Sequence, residues 1–136
     1  MNELATILKA HNLKATPQRL SIFEILYNTN AHPNAETIYD VLHASQPTIS
    51  LATVYKTLDT LVKHGLIQQL NVGEDSFRYD ASVTPHPHIK CTKCNVVCDM
   101  HNIPGIEEFR ENVKKATHFQ LTSEQFYFFG VCPDCQ

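Results

Sequence analysis

Residues 50–65 read SLATVYKTLDTLVKHG, and residues 66–80 continue LIQQLNVGEDSFRYD. Ser50 supplies a helix cap, and Leu51, Val54, Leu58, Leu61 and Val62 recur at the three- and four-residue spacing of one apolar helix face. Gly65 stops this helix of about fourteen residues, since glycine enters the left-handed conformation just past a helix end without a Cβ clash. Two strand-like runs follow, 66–72 and 76–80, with Gly73-Glu74-Asp75 between them as a hairpin turn. A helix running into a hairpin is the closing half of a winged helix-turn-helix. The helix enters a major groove and the hairpin forms the wing.

The segments before it supply the rest of that fold. Leu4, Ile7, Leu8 and His11 keep helical spacing. Thr16-Pro17 is a helix start, with Thr16 as cap and Pro17 at the first helical position, and the helix runs through Leu20, Ile22, Phe23, Ile25 and Leu26 to about Tyr27. His32-Pro33-Asn34 breaks the chain before a third helix through Ile38, Val41 and Leu42, and 45–50 is a loop.

After residue 80 the character changes. The prolines extend Pro85-His86-Pro87-His88, which leads into Ile89-Lys90-Cys91. Residues 96–100 read as a strand, Pro104 opens a helix through Ile106, Phe109 and Val113, and 119–121 and 126–131 are strand-like. The expected fold class is therefore α+β: a winged-helix domain at 1–82 followed by a small α/β domain at 83–136.

Composition sets bounds. Hydrophobic residues make up 43% of the 136, which permits a core, and no run reaches the ~18 apolar residues of a membrane span. The first residues lack the apolar stretch and small-residue cleavage site of a signal peptide, so the expected compartment is the cytoplasm with no membrane partner. Eleven Lys/Arg against fourteen Asp/Glu give a charge of −3. A nucleic-acid reader of this composition must gather its few cations on one surface.

All five cysteines lie after residue 90, four of them in two C-x-x-C pairs, Cys91/Cys94 and Cys132/Cys135. Two intervening residues let both sulfurs of a pair turn onto one ion, and four thiolates make a closed structural zinc site. The 37 residues between the pairs would make the metal a clasp joining the two ends of the α/β unit. A redox dithiol is the competing reading, but that role uses one such pair at a helix N-terminus. Cys98 reads as a buried free thiol.

His86 and His88 alternate on an extended segment, so both imidazoles point to one side. With Asp99, Asp80 and His32 they offer a mixed nitrogen and oxygen set suited to iron(II), manganese(II) or zinc(II). Spacing alone leaves alternatives open: the His-Pro-His run suits a solvated linker, Asp80 a turn, His32 a helix cap. The fourth helix presents Ser50, Thr53, Tyr55 and Lys56 towards a groove or its phosphates, with Tyr55 able to meet a thymine methyl while its hydroxyl bonds a phosphate or base.

Taken in order, Lys14-Ala15-Thr16-Pro17-Gln18-Arg19, Ala31-His32-Pro33, the run from Ser50 to Leu58, the run from His86 to Cys94, and Gly130-Val131-Cys132-Pro133-Asp134-Cys135 resemble the ferric uptake regulator superfamily, most closely its peroxide-stress branch. The resemblance covers nearly the whole chain and implies a homodimeric, metal-dependent repressor that is not an enzyme. It implies a dimerisation role for 83–136, zinc on the four cysteines, and a regulatory iron(II) or manganese(II) on His32, Asp80, His86, His88 and Asp99. It implies that Lys14 reaches an A·T-rich minor groove and Arg19 a phosphate of double-stranded DNA, with a palindromic operator following from the two-fold axis. It also implies peroxide sensing by iron-catalysed oxidation of His32 and His86, which releases the DNA, whereas manganese(II) supports binding without that chemistry.

There are departures. The iron-sensing branch usually has Glu where Asp99 stands, and Lys56 replaces a common Arg. Pro85 and Pro87 stand where relatives draw ligands for a further metal site, which is expected to be missing or degraded although Glu107 and Glu124 lie near its other positions. The competing readings are an iron- or zinc-uptake repressor, a zinc-binding redox or hydrolytic enzyme, and a zinc-stabilised interaction module. No evident general base, nucleophile or Gly-rich phosphate loop favours the enzyme.

Overall fold

Three helix starts set the frame of the N-terminal half. Thr16, Asn34 and Ser50 each hold extended backbone angles, and each side chain accepts a hydrogen bond from the N–H three residues on. In the computed structural model, which describes residues 2–83 and 86–136, the helices are α1 (Asn2–Ala10), α2 (Pro17–Tyr27), α3 (Ala35–His43) and α4 (Leu51–Lys63). Pro17 opens α2 at a position whose N–H has no helical partner to lose. Gly65 has φ +73°, the left-handed stop expected after α4.

The antiparallel pair β1 (Gln68–Leu70) and β2 (Arg78–Asp80) follows, in register Gln68 to Asp80 and Leu70 to Arg78. Both strands are shorter than the expected runs, because 71–77 belong to the wing's turn region and form no ladder. The core of this unit, Met1–Val83, packs Leu8, Ile22, Leu26, Ile38, Val54, Leu58 and Leu61 with no or almost no exposure. Each such side chain contributes roughly 1.5–3 kcal/mol by leaving water. The apolar stripe read from α4 is the part that meets α2 and α3, and its opposite face, with Ala52, Tyr55, Lys56 and Asp59, is exposed.

The second unit, Thr84–Gln136, is a three-stranded sheet in the order β4-β3-β5, from β3 (His88–Cys91), β4 (Val97–Asp99) and β5 (Tyr127–Gly130), with α5 (Ile106–Thr117) between β4 and β5. β3 and β4 pair antiparallel, and β5 lies parallel to β3. A single 3-10 turn, Pro133–Cys135, ends the chain. The expected extension by Pro85 lies outside the described residues.

Two expectations on this unit need correction. Residues 119–121 form no strand: α5 ends in a left-handed His118, φ 59°, and no described strand pairs with 119–121. Cys98 is exposed, not buried. Strand alternation turns its neighbours Val97 and Asp99 to the other face and leaves Cys98 in a cross-strand row with Ile89 and Phe128, 39% and 48% exposed.

Candidate metal centres and DNA-reading face

The four-cysteine cluster grows out of the β3–β4 hairpin. Cys91 ends β3 opposite Gly130 of β5, and the Thr92 N–H donates to the Gly130 carbonyl at 2.8 Å. That register sets Cys132, two residues past Gly130, against Cys91. Asn95, in the left-handed region at φ 66°, turns the chain back so that the Cys91 N–H reaches the Val96 carbonyl at 2.9 Å.

The four sulfurs lie within 4.8 Å of one another, and Cys94 Sγ to Cys132 Sγ is 3.8 Å. A tetrahedron with Zn–S near 2.3 Å has edges of about 3.8 Å, whereas a disulfide needs about 2.05 Å. The donor set therefore fits zinc. The backbone N–H groups of Lys93, Cys94 and Cys132 converge on Cys91 Sγ, each at 3.4 Å. The Cys132 and Cys94 N–H groups lead in lowering its pKa to about 5. The hydrogen bond with the Cys132 thiol leads in pushing Cys135 up to about 12. A position that favours thiolate at Cys91 suits zinc, which binds its cysteine ligands deprotonated.

A second donor set stands on the same sheet. His88 lies directly across from Asp99. His86 Nε2 and His88 Nε2 both face Asp99 Oδ1, at 2.8 and 3.0 Å, and the two rings are 4.5 Å apart at their centroids. The extended segment thus does put both imidazoles on one side. His101 lies beside this group, its ring 5.3 Å from that of His86 and tilted 32° to it.

The N-terminal unit carries a third set. His32 holds φ 52°, a left-handed conformation uncommon for a non-glycine residue and the more so before proline. Three ties hold it there. Arg78 Nη1 donates to the His32 carbonyl at 3.2 Å, the Tyr79 N–H donates to the Pro33 carbonyl at 3.1 Å, and Asn34 bridges to Arg78. Glu74 grips the Arg78 guanidinium with both oxygens, at 2.7 and 3.1 Å. The result is a buried His32 Nδ1 standing 3.7 Å from Asp80 Oδ2, while Asp80 Oδ1 accepts from the Ser82 N–H at 2.8 Å. Glu74 and Arg78 were not singled out from sequence, because their role depends on a loop 46 residues away from Arg78.

Glu107 and Glu124 face a cation that the chain itself supplies. Arg110 Nε lies 2.7 Å from Glu124 Oε1, and Arg110 Nη1 lies 3.5 Å from Glu107 Oε2.

On the DNA-reading candidates the structure is specific. Thr53 and Lys56 of α4 line a polar groove of about 350 Å³ with Arg19, Thr16 and Gln18 at the start of α2. Arg19 Nη1 donates to the carbonyl of the exposed Lys14 at 3.1 Å. Ser50 Oγ is committed to capping α4 and lies 2.9 Å from Thr53 Oγ1. Tyr55, 39% exposed, donates its hydroxyl proton to Glu36 Oε1 at 2.7 Å, a bond that leads in raising its pKa.

The winged-helix unit and the two donor classes define a metal-binding regulator. The model of the ferric uptake regulator family matches residues 10–129, and the chain belongs to that family. Among its relatives is the transcriptional regulator PerR of Clostridium acetobutylicum, 46% identical over 136 residues, covering 100% of this chain and 98% of the relative. Among solved structures, the Campylobacter jejuni peroxide stress regulator matches with a TM-score of 0.77 at 36% identity, over 97% of this chain and 98% of that one. The Helicobacter pylori ferric uptake regulator, described as having three functional metal binding sites, matches with a TM-score of 0.80 at 27% identity, over 98% of this chain and 89% of that one.

Proposed function

We propose that the chain is a dimeric, metal-dependent repressor of peroxide-stress genes. The observation that carries this is the separation of its two donor classes. One set is all sulfur and suits zinc, while the other is all imidazole and carboxylate, converging on Asp99 Oδ1. On this reading His86, His88 and Asp99 close with His32 and Asp80 on one iron(II) or manganese(II) ion, and ligation fixes the winged helix for DNA. Iron(II) held there would activate peroxide, the net step being transfer of one oxygen atom from hydrogen peroxide to an imidazole ring carbon of His32 or His86 with water as the other product. The oxidised imidazole no longer ligates, the ligand set fails, and DNA is released. The chain is consumed as a sensor and does not turn over as an enzyme.

Dimer formation through 83–136 is supported by what that unit leaves uncovered. α5 buries no residue, and Phe109, Phe128, Phe129, Val96 and Val131 are all exposed. A small unit with this much apolar surface is stabilised by a second copy. For DNA, Lys56 and Thr53 with Ser50 at the start of α4 meet the major groove or its phosphates, Arg19 meets a phosphate, and Lys14 reaches an A·T-rich minor groove of a palindromic operator. No helix among the described residues is long and apolar enough to cross a membrane. On the same reading the repressor is cytoplasmic.

The test compares two loaded forms on A·T-rich palindromic DNA. The manganese form should keep its DNA through peroxide treatment. The iron form should lose it, with one oxygen atom added to His32 or His86 by mass spectrometry. Peroxide acting only through cysteine would sink the sensing mechanism. Insensitivity of both forms would favour an iron- or zinc-uptake repressor.

A second expectation follows from the Glu74–Arg78 clamp. Arg78→Ala frees the His32 loop from its strained conformation, and manganese affinity should fall by roughly 10–100-fold, the usual effect of losing a group that orients a ligand. Zinc content should stay unchanged. Wild-type manganese affinity in this variant would show that the clamp does not serve the metal.

A further inference from the structure

Tyr55 stands on the solvent face of α4, beside Lys56, where a recognition helix meets base edges. A tyrosine hydroxyl has one proton to give and lone pairs to accept with. Here the proton is spoken for: it points to Glu36 Oε1 at 2.7 Å, a hydrogen bond to a carboxylate and so among the stronger kinds. Glu36 sits in the first turn of α3, where the helix dipole favours a negative charge. Both residues are exposed, so the pair lies on the surface that DNA would approach.

We propose that Glu36 is a specificity-determining positioning residue, which fixes the Tyr55 hydroxyl as a hydrogen-bond acceptor and so directs it to an exocyclic amino group of a base. The inference rests on the DNA-binding reading above. Its chemistry is selective. A phosphate oxygen only accepts, so it cannot bond a hydroxyl whose proton is already given, and the Glu36 charge repels it. Guanine O6 and N7, thymine O4 and adenine N7 are acceptors and are refused on the same ground. Among base edges in the major groove, the donors are adenine N6 and cytosine N4. The bond to Glu36 also raises the Tyr55 pKa, which keeps the hydroxyl protonated. The sequence reading allowed the hydroxyl a phosphate or a base; the Glu36 contact separates the two.

The experiment uses the manganese-loaded full chain and a random duplex library. Wild type, Glu36→Ala, Glu36→Gln and Tyr55→Phe are each selected for sequence preference. The preferred duplex is then remade with one base at a time lacking its exocyclic amino group. Wild type should lose about three- to tenfold in affinity at one position per half-site, the scale of a single net hydrogen bond. Tyr55→Phe should show no loss there. Glu36→Ala should also lose the discrimination and admit thymine or guanine, because the hydroxyl regains a proton to donate. Glu36→Gln should keep part of it, since the amide oxygen still accepts. A role for Glu36 in helix stability alone would lower the melting temperature without moving base preference.

The proposal is overturned if Glu36→Ala keeps the wild-type preference, or if Tyr55→Phe weakens all duplexes equally, as loss of a phosphate contact would. Failure of wild type to select any duplex would instead remove the DNA-binding reading, and this inference with it.

Discussion

Cys91→Ser should lose its zinc, fall to a monomer in sedimentation and unfold the unit Thr84–Gln136. Cys91 is the buried member of the four, and its sulfur receives three backbone N–H bonds that a serine hydroxyl would accept poorly and without the same negative charge. The unit has little to fall back on, since Pro87, Cys91 and Val97 are its buried apolar residues among those described and α5 buries none. Structural zinc in small domains supplies on the order of 10–16 kcal/mol of apparent binding free energy, which is then folding free energy. Metal content by mass spectrometry under native conditions and circular dichroism read the result. Cys98→Ser is the control and should keep one zinc per chain, because Cys98 lies on the exposed face of β4. Wild-type zinc content in Cys91→Ser would remove the structural role.

The second large effect is expected at Asp99. One carboxylate oxygen gathers both imidazoles, His86 at 2.8 Å and His88 at 3.0 Å. Asp99→Ala removes a candidate ligand and also the group that orients two others, so manganese affinity should fall by more than the roughly 10–100-fold of an orienting residue alone. Peroxide should then leave His86 unmodified in iron-treated protein, while zinc content and the melting of the core at Met1–Val83 stay as in wild type. Undiminished manganese binding in Asp99→Ala would place the regulatory ion elsewhere.

Much of the fold was legible because its signals are local. The caps Thr16 and Ser50 and the stop at Gly65 act within a single helical turn, so sequence alone located them. The stripe of Leu51, Val54, Leu58, Leu61 and Val62 named the buried face of α4 without reference to its neighbours. The segment 119–121 failed for the converse reason. Its residues favour extended backbone, but a strand needs a partner, and sequence does not say whether one is adjacent. Cys98 failed similarly: its type is commonly buried, but its place in the alternation of β4 sends it outward.

The four-cysteine set shows the division most clearly. Sequence by itself supplied two C-x-x-C pairs, a donor set that suits zinc, and turned His86 and His88 the same way, because the spacing within each pair acts along one short segment. Only the tertiary structure decided which groups would serve them. The parallel register of β5 against β3 brings Cys132 to Cys91. The β3–β4 register brings Asp99 to His88. Arg78 holds His32 in its left-handed turn, Arg110 takes up Glu124, and Glu36 accepts the hydrogen bond of the Tyr55 hydroxyl. Each of these joins residues on different segments, and such contacts are set by how elements pair and pack, which residue type and spacing do not encode.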